Sequence, residues 1–416
     1  MMLVDPAAVL LSMKNSWQNK PPSWDKSNDP CDSRWEGVTC NNSRGLSNMS
    51  LKGKLYGDIG GLTELRSLIL AGCSFNGEIP DELGNLAELS FFASSQYDFF
   101  IFPTLCKSLV LLRALNSNNF SGAIPPSLGK LSKLYWLDLA DNQLTGTIPI
   151  STYHSPGLDL LLKAKHFHLN KNQLSGIIPS KLFSSKMALI HLLLDGNRFT
   201  GTIPVTLGLI KTLEVLRLDT NALAGSVPSD LNNLTNVNEL DLSNNSFDPS
   251  EAPLWFSTLP SLTTLAMEFG SLQGVVPEKL FSLPNLQLVK LKYNAFNDTL
   301  NMGDSINPQL QLVDLQNNQI SRISPDFSGT RFAAAVLVHQ MLLFVSLLVK
   351  LQNRKWSRMR AFGQLVENGA KILIGEASSI KQANVMKSCF EKFRMQTPQP
   401  NWLTSKKSRF LVPIRP

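Results

Sequence analysis

The sequence lacks the short motifs that usually accompany catalysis. It contains no His-Arg-Asp catalytic loop, no Asp-Phe-Gly and no Gly-rich loop followed by a strand lysine, so we expect no kinase domain within its 416 residues. The stretch from Asp326 to Gly329 is no substitute, because a serine separates its phenylalanine from its glycine. No nucleophile–histidine–carboxylate arrangement, phosphate loop or paired-carboxylate cleft stands out either. We therefore expect a protein that is not an enzyme and that uses no cofactor.

A secretory signal is also missing, and positive charge is confined to one region. Residues Met1 to Asp5 run directly into an expected helix, with no basic segment or apolar segment before it. Residues 331–416 carry 15 Lys and Arg against 3 Asp and Glu, whereas residues 1–330 carry 24 against 29. The net charge of +7 therefore arises in the tail, and the rest of the chain is mildly acidic. We expect no nucleic-acid partner.

Long uncharged apolar runs are scarce, and the clearest one spans residues 332–349. Eighteen residues is the lower limit for a membrane helix, and His339 with Gln340 at its centre is costly in lipid. Basic residues follow at once, as they do on a cytoplasmic flank. The run is a candidate membrane helix, with a helix folded onto the end of the preceding domain as the alternative. Residues 350–416 form a basic tail that we expect to be poorly ordered.

The dominant feature of the sequence is one motif that recurs about ten times between Leu46 and Ile320. Each copy has a leucine-spaced strand, an asparagine and then Gly-x-Ile-Pro or a close variant; the clearest copies span 134–149 and 213–228. A period of roughly 20 to 29 residues is the mark of a leucine-rich-repeat solenoid, in which each unit buries its faces against its neighbours. The predicted fold class is therefore α/β, a right-handed solenoid of about ten repeats with an N-terminal cap. Such a stack favours binding over catalysis.

An asparagine follows the strand in most repeats. Its side chain can satisfy backbone groups where the chain turns away from the strand, and the bonds can repeat from coil to coil. The asparagines at this place are Asn142, Asn172, Asn197, Asn221, Asn245, Asn294 and Asn318. Cys73 takes the place in one repeat, where we expect a buried, unreactive thiol, and Gly270 takes it in another, where we expect a weaker ladder.

The period is interrupted once. Gly201 and Gly225 are 24 residues apart, but Gly77 and Gly122 are 45 apart, and the excess carries an aromatic, apolar stretch at about 91–112. This degenerate insert has three interpretations: a loop that contacts a ligand, an extra imperfect repeat, or translated non-coding sequence. We favour the extra repeat, because a loop this apolar would expose too much hydrophobic surface.

Ligand-binding candidates follow from strand alternation. Counting back six, four and two residues from each ladder asparagine gives side chains that point onto the concave face of the sheet. The candidates chosen in this way are Trp136, Asp138, His166, His168, His191, Asp195, Arg217, Asp219, Lys290 and Lys292.

Two groups among these candidates have more than one interpretation. His166 and His191 should lie side by side about 4.8 Å apart, with His168 nearby. A pH-responsive patch and a metal site are both open, but an ordinary polar surface is favoured, because only Asp195 could complete a ligand set. We therefore predict no metal site. Lys290 and Lys292 could hold a peptide carboxylate or could simply be solvated.

A resemblance to a known family rests on particular segments. The Gly-x-Ile-Pro ending resembles the plant-specific repeat, and residues 29–40 are similar to the N-terminal cap of plant leucine-rich-repeat receptor-like kinases. Segments 156–168 and 232–236 resemble one subfamily of that group. The resemblance covers residues 5 to about 320. It implies a cap at 5–44 and a solenoid at 45–328, on the extracellular side of the plasma membrane, with a peptide, glycan or co-receptor protein as partner.

The resemblance also implies processing in the secretory pathway. Cys31 and Cys40 are expected to form the disulfide of the cap, which needs an oxidising compartment. Candidate glycosylation sites are Asn41, Asn48, Asn119, Asn233, Asn244 and Asn297. Because a signal is missing, we expect a truncated or mis-started form of a receptor ectodomain. The alternatives are a secreted inhibitor or decoy, if 332–349 does not span a membrane, and a gene product without an independent function.

Overall fold

The computed structural model of the chain describes residues 6–31, 35–40, 44–46, 50–70, 73–93, 118–303 and 305–324. The candidate membrane helix, the basic tail, Asn41, Asn48 and most of the insert lie outside these residues. No helix in the described part of the chain is long and apolar enough to cross a membrane.

The N-terminal cap is held together by three tryptophans and a disulfide. Its helix Pro6–Lys14 begins at a proline, which suits the first helical position because proline lacks the N–H that would be unpaired there. Trp24 stacks on Trp35 with ring centroids 4.6 Å apart, and Trp17 lies 6.2 Å from Trp24. All three rings are buried. Cys31 and Cys40 form the disulfide, which confirms that prediction.

One long sheet runs through the cap and every repeat. Its first two strands are antiparallel, and every later pair is parallel, as expected when each coil of a solenoid adds one strand. Its twelve strands, in spatial order, are Val38–Thr39, Gly45–Leu46, Ser67–Ile69, Phe91–Ala93, Trp136–Asp138, His166–His168, His191–Leu193, Val215–Arg217, Glu239–Asp241, Thr264–Ala266, Leu288–Lys290 and Leu312–Asp314.

Shorter elements complete each coil. Outer strands form three further four-stranded sheets, at Lys52–Lys54, Ser74–Glu78, Asn119–Ala123 and Gln143–Thr145; at Ser175–Ile177, Arg198–Gly201, Ala222–Gly225 and Ser246–Phe247; and at Ser250–Glu251, Leu272–Gly274, Ala295–Asn301 and Gln319–Ser324. Short 3-10 helices occupy Pro22–Asp25, Gly57–Gly61, Asp81–Asn85, Pro126–Lys130, Leu158–Leu160, Ser180–Leu182, Val205–Leu209, Ser229–Asn233, Leu254–Ser257 and Glu278–Ser282.

The core lies between the long sheet and the rest of each coil. The middle residue of a strand points inward, so Leu137, Phe167 and Leu192 stack in register and are fully buried. Each such side chain contributes about 1.5–3 kcal/mol through apolar burial. The leucine spacing therefore sets which face of every strand is buried, and the residues on either side of the middle one point the other way, onto what we call the concave face.

The asparagine ladder forms as predicted. Asn221 donates from its side-chain nitrogen to the carbonyl oxygens of Leu218 and Asp219 in its own coil, and to Leu194 in the preceding one, at 3.1 to 3.2 Å. Its side-chain oxygen accepts from the N–H of Phe199 at 3.0 Å. One side chain thus satisfies four backbone groups that the turn would leave unpaired.

Cys73 and Gly270 behave as their places in the ladder predict. Burial raises the pKa of the Cys73 thiol to about 11, which disfavours the reactive thiolate form. Gly270 has no side chain to bond, and its own N–H is satisfied by Asn294 of the next coil at 3.0 Å.

The strand pairings of the described residues leave no place for an extra repeat in either sheet, which corrects the interpretation favoured above. Phe91–Ala93 is an ordinary strand of the long sheet, and Phe91 is paired directly with Trp136. In the outer sheet, Ser74–Glu78 is paired directly with Asn119–Ala123. An additional repeat would have placed a strand between the members of each pair. The 45-residue spacing between Gly77 and Gly122 therefore corresponds to one strand-to-strand step in each of these sheets.

Candidate functional site

The ten candidate residues lie on the concave face in three rows that cross the strands. Trp136, His166 and His191 are in register in the first row. The second row contains Asp138, His168, Arg217 and Lys290. The third row contains Asp195, Asp219 and Lys292, each of which follows a second-row position by two residues in the sequence. The sheet divides them into two groups: a histidine end and a charged end.

The histidine end is buried, which corrects the expectation of an open polar surface. Trp136, Asp138, His166 and His168 are at most 6% exposed, and His191 is half-buried. The physical reason is that flat rings on neighbouring strands cover one another. Trp136 stacks on His166 with centroids 3.9 Å apart and on Phe91 at 5.4 Å.

The three histidines meet at one point, and we call them the histidine cluster. One ligand nitrogen from each of His166, His168 and His191 lies within 4.8 Å of the others. The rings of His166 and His191 are 4.6 Å apart, close to the expected strand spacing. Asp138 places a carboxylate oxygen 3.7 Å from Nδ1 of His168. Asp195, the ligand candidate from the sequence, is not among the residues that converge in this way.

The charged end forms an open groove of about 390 Å³, which we call the charged groove. Its lining contains four carboxylates and two lysines, together with small polar and apolar side chains. The lining residues are Asp219, Thr220, Asp241, Ser243, Asn244, Ala266, Glu268, Phe269, Lys290, Lys292, Leu312 and Asp314. Three of the ten candidates, Asp219, Lys290 and Lys292, therefore share one site.

Carboxylates crowd the start of this groove. Burial, and then the nearby carboxylates of Asp241 and Asp195, raise the pKa of Asp219 to about 7. Burial likewise raises the pKa of Asp195, while Arg217 opposes the rise. Arg217 itself is held by Glu239, to which its Nε donates at 2.7 Å. The positive charge nearest to Asp219 is thus already committed to a partner.

At the other end of the groove the two lysines differ. Lys292 pairs with Glu268 at 3.1 Å, and this hydrogen bond raises the pKa of the lysine. Among the described residues Lys290 makes no ion pair, and it is half-buried beside Asp314 of the next strand. The two lysines are therefore not equivalent, because Lys292 already has an ion-pair partner and Lys290 has none among the described residues.

An aromatic pair lies beside the lysines. Phe269 and Tyr293 stack with centroids 4.2 Å apart, although 47% and 44% of their respective surfaces are exposed. Both have positive φ, which bulky residues rarely adopt. The cause is positional, because each directly precedes a ladder residue, Gly270 or Asn294, where the chain must turn. The turn thus presents two rings to solvent.

Sequence reasoning missed part of this site. Applied to Asn318, the same counting rule would have found Leu312 and Asp314. No sequence signal marks Phe269 as a groove residue, since the ring reaches the groove through the turn and not through the strand. Four of the candidate glycosylation sites, Asn119, Asn233, Asn244 and Asn297, are exposed, and Asn244 lines the groove.

Comparisons with known proteins agree with this architecture. The profile of the leucine-rich-repeat N-terminal domain matches residues 6–41, and that of the leucine-rich repeat matches 64–86 and 133–154. A probable leucine-rich-repeat receptor-like protein kinase of Arabidopsis thaliana is 47% identical over 346 residues, which cover 75% of this chain and 36% of the relative. The chain spans about a third of the length of the curated relatives it matches first, at 36% and 26%.

Solved structures show the same fold. The crystal structure of PEPR1-AtPEP1 is similar with a TM-score of 0.60 and 28% identity, covering 76% of this chain and 45% of that chain. The Arabidopsis receptor kinase HAESA, in complex with the peptide hormone IDA and the co-receptor SERK1, is similar with a TM-score of 0.54 and 26% identity, covering 76% and 58%.

The cap, the parallel sheet and the asparagine ladder together define a leucine-rich-repeat solenoid, and the two profile matches fall on its cap and on two of its repeats. Its relatives are plant leucine-rich-repeat receptor-like kinases, and its structural neighbours include plant receptor ectodomains.

Proposed function

We propose that the described repeats are the non-enzymatic, ligand-recognising ectodomain of a plant cell-surface receptor, and that the charged groove binds an extracellular peptide. The observation that carries this proposal is the groove itself, a cavity of about 390 Å³ on the concave face that is lined by both signs of charge and by the exposed ring of Phe269. The complex of HAESA with a peptide hormone supports a peptide as the class of ligand.

The groove suggests how such a peptide would lie. Of the two lysines that line the groove, Lys290 has no ion-pair partner among the described residues, so it is suited to a carboxylate of the peptide. Asp219 and Asp241, two to three strands away, suit a basic or hydrogen-bond-donating group. Phe269, which lines the groove and stacks on Tyr293, supplies an apolar surface beside these polar contacts. We expect a peptide whose carboxylate and basic group are separated by a few residues.

The location that we propose is the outer side of the plasma membrane, with residues 332–349 as the anchor and a co-receptor protein as a second partner. The Cys31–Cys40 disulfide supports an oxidising compartment, and the four exposed sequons in the described residues support passage through the secretory route. The relation to plant receptor kinases supports the same location.

A paired peptide screen tests the groove. The protein, secreted from eukaryotic cells, is screened against a random peptide library prepared twice, once with free C-terminal carboxylates and once amidated. We expect binding of the free-acid peptides, and loss of about tenfold in affinity in the Lys290→Ala variant, because a charge-assisted hydrogen bond is removed.

The control for this screen is Lys279→Ala. Lys279 is an exposed lysine in the 3-10 helix Glu278–Ser282, outside the groove lining, so the variant should bind as the unchanged protein does. Equal affinity of all three proteins, or photo-crosslinks from bound peptide to residues outside the groove, would contradict the proposal.

A further inference from the structure

The histidine cluster is a separate place on the concave face, and peptide recognition in the charged groove makes no use of it. His166 and His168 alternate with an inward residue on one strand, so both point to the concave face. His191 is in register with His166 on the neighbouring parallel strand. His166 and His168 on one strand and His191 on the next therefore form a triangle, and one ligand nitrogen from each lies within 4.8 Å of the other two.

We propose that His166, His168 and His191 bind one divalent transition-metal ion, zinc or copper(II). Three imidazole nitrogens are a donor set that these ions favour, whereas calcium and magnesium prefer oxygen ligands. Nitrogens bound to a tetrahedral zinc ion at about 2.1 Å lie roughly 3.4 Å apart. Binding therefore requires the three ligand nitrogens, which lie within 4.8 Å of one another, to move closer by rotation of the imidazole rings.

Asp138 supplies the outer partner that such sites usually have. Its Oδ2 lies 3.7 Å from Nδ1 of His168, and its Oδ1 accepts from the N–H of Ala140 at 3.0 Å, which fixes the carboxylate. A carboxylate on one ring nitrogen orients the imidazole and raises its basicity as a ligand. Asp138 is thus a positioning residue for His168, and its negative charge offsets part of the charge of the ion.

The surroundings suit a bound ion that is reached from one side. His168 is fully buried and His166 is 6% exposed, so the floor of the cluster is shielded from water. His191 is half-buried and gives the ion a route from solvent. Three protein ligands leave a fourth coordination position, which water or a ligand side chain would occupy.

Cobalt(II) is the spectroscopic probe for the test, because its visible absorption reports tetrahedral coordination. The untagged, disulfide-intact protein is dialysed against a chelator and titrated with cobalt(II), and zinc is then measured by calorimetry and by thermal unfolding. We expect saturation at one equivalent, a visible cobalt band, and a thermal midpoint that rises with zinc concentration.

Variants separate the cluster from adventitious binding. His191→Ala, at the half-buried position, should weaken zinc affinity by more than about 100-fold, and Asp138→Asn by roughly 10- to 100-fold. His168→Gln keeps a polar side chain at the buried position, and circular dichroism shows whether it folds. His154→Ala is the matched control, since His154 is exposed and lies outside the cluster, and it should leave affinity unchanged. Absence of one-to-one saturation, or equal affinity of His191→Ala and the unchanged protein, would overturn the proposal.

Discussion

The histidine end and the charged end of the concave face are built on the same backbone and differ in what the strands display. Asn172 beneath the first and Asn221 beneath the second make the same three donated hydrogen bonds to carbonyl oxygens. Above them, one end places Trp136 and His166 in a stack, and the other places Arg217 and Asp219 beside solvent. The repeat therefore fixes a scaffold and leaves two residues in each strand free to vary.

The difference between the ends is physical as well as chemical. Aromatic and imidazole rings on adjacent strands can lie flat on one another and exclude water, as Trp136 and His166 do. Carboxylates lose solvation when they are buried and repel one another on adjacent strands, and burial first and repulsion second raise the pKa of Asp219. One end of the same surface thus contributes to stability, whereas the other stays open at some cost in stability.

The largest expected effect separates the two ends by stability. Trp136→Ala removes a buried ring from the histidine end and should lower the free energy of unfolding by about 3–4 kcal/mol, because transfer and cavity terms add. Lys290→Ala in the charged groove should change it by less than about 0.5 kcal/mol. Chemical denaturation of both variants measures the contrast. Similar losses in the two variants would show that the ends do not differ in this way.

Reduction of the cap disulfide should destabilise the cap but leave the histidine end and the charged end of the concave face folded. Cys31 and Cys40 are nine residues apart in sequence, and a loop of this size is worth about 2.5 kcal/mol to the oxidised form. With reductant present, hydrogen exchange should speed up first in the helix Pro6–Lys14, while the strands His166–His168 and Glu239–Asp241 stay protected. Unchanged protection of the helix would argue against a stabilising role of the disulfide.

Asp219 at the charged end should make stability depend on pH near neutrality. The pKa of Asp219 is about 7 in the folded protein against about 3.9 in an unfolded chain, so the folded state holds the proton longer. Stability should therefore be full below about pH 4 and decline as pH rises to about 7, by roughly 1–2 kcal/mol after solvent screening of this partly exposed group. Asp219→Asn should remove this decline and be the more stable protein at pH 7.5.

Denaturation midpoints of Asp219→Asn and the unchanged protein between pH 4 and 8 measure that difference. Asp58→Asn is a suitable control, because Asp58 lies in the 3-10 helix Gly57–Gly61, outside the groove lining. Parallel pH curves for Asp219→Asn and the unchanged protein would show that Asp219 titrates normally.

The smallest expected effect on stability concerns the rim of the groove. A glycan on Asn244 would project into the charged groove, so Asn244→Gln should remove one glycan and improve access for peptides. The free energy of unfolding should change by less than about 0.5 kcal/mol. Asn233→Gln also removes a glycan but lies outside the groove lining, so it should leave binding unchanged. Mass spectrometry before and after deglycosylation shows whether Asn244 is modified at all.

Much of the fold could be predicted because the repeat is local. The Leu-x-Leu alternation predicts which side chains are buried, and the asparagine after each strand indicates where the chain turns. These signals placed His166 beside His191 and identified the ladder from Asn142 to Asn318, and the structure agrees. The Cys31–Cys40 disulfide was predicted from the resemblance to a known cap and not from the spacing of the repeats.

The candidate site was predicted less completely. The counting rule found Asp219, Lys290 and Lys292, but it treated every concave position as equally exposed. It could not anticipate that Lys292 is held by Glu268, nor that the turn carries Phe269 to the groove. The spacing of the insert was likewise ambiguous until the direct pairing of Phe91 with Trp136 was known.

The sequence by itself determined the period, the inward face of each strand and the ladder, because these depend on contacts within one coil or between identical places in successive coils. The tertiary structure alone decided which concave residues are buried, which charges are paired and where a groove opens. These properties depend on side chains of different repeats, which stacking places about 4.8 Å apart although some 24 residues separate them in sequence. Burial and charge on the concave face are therefore set by neighbours that no single repeat contains.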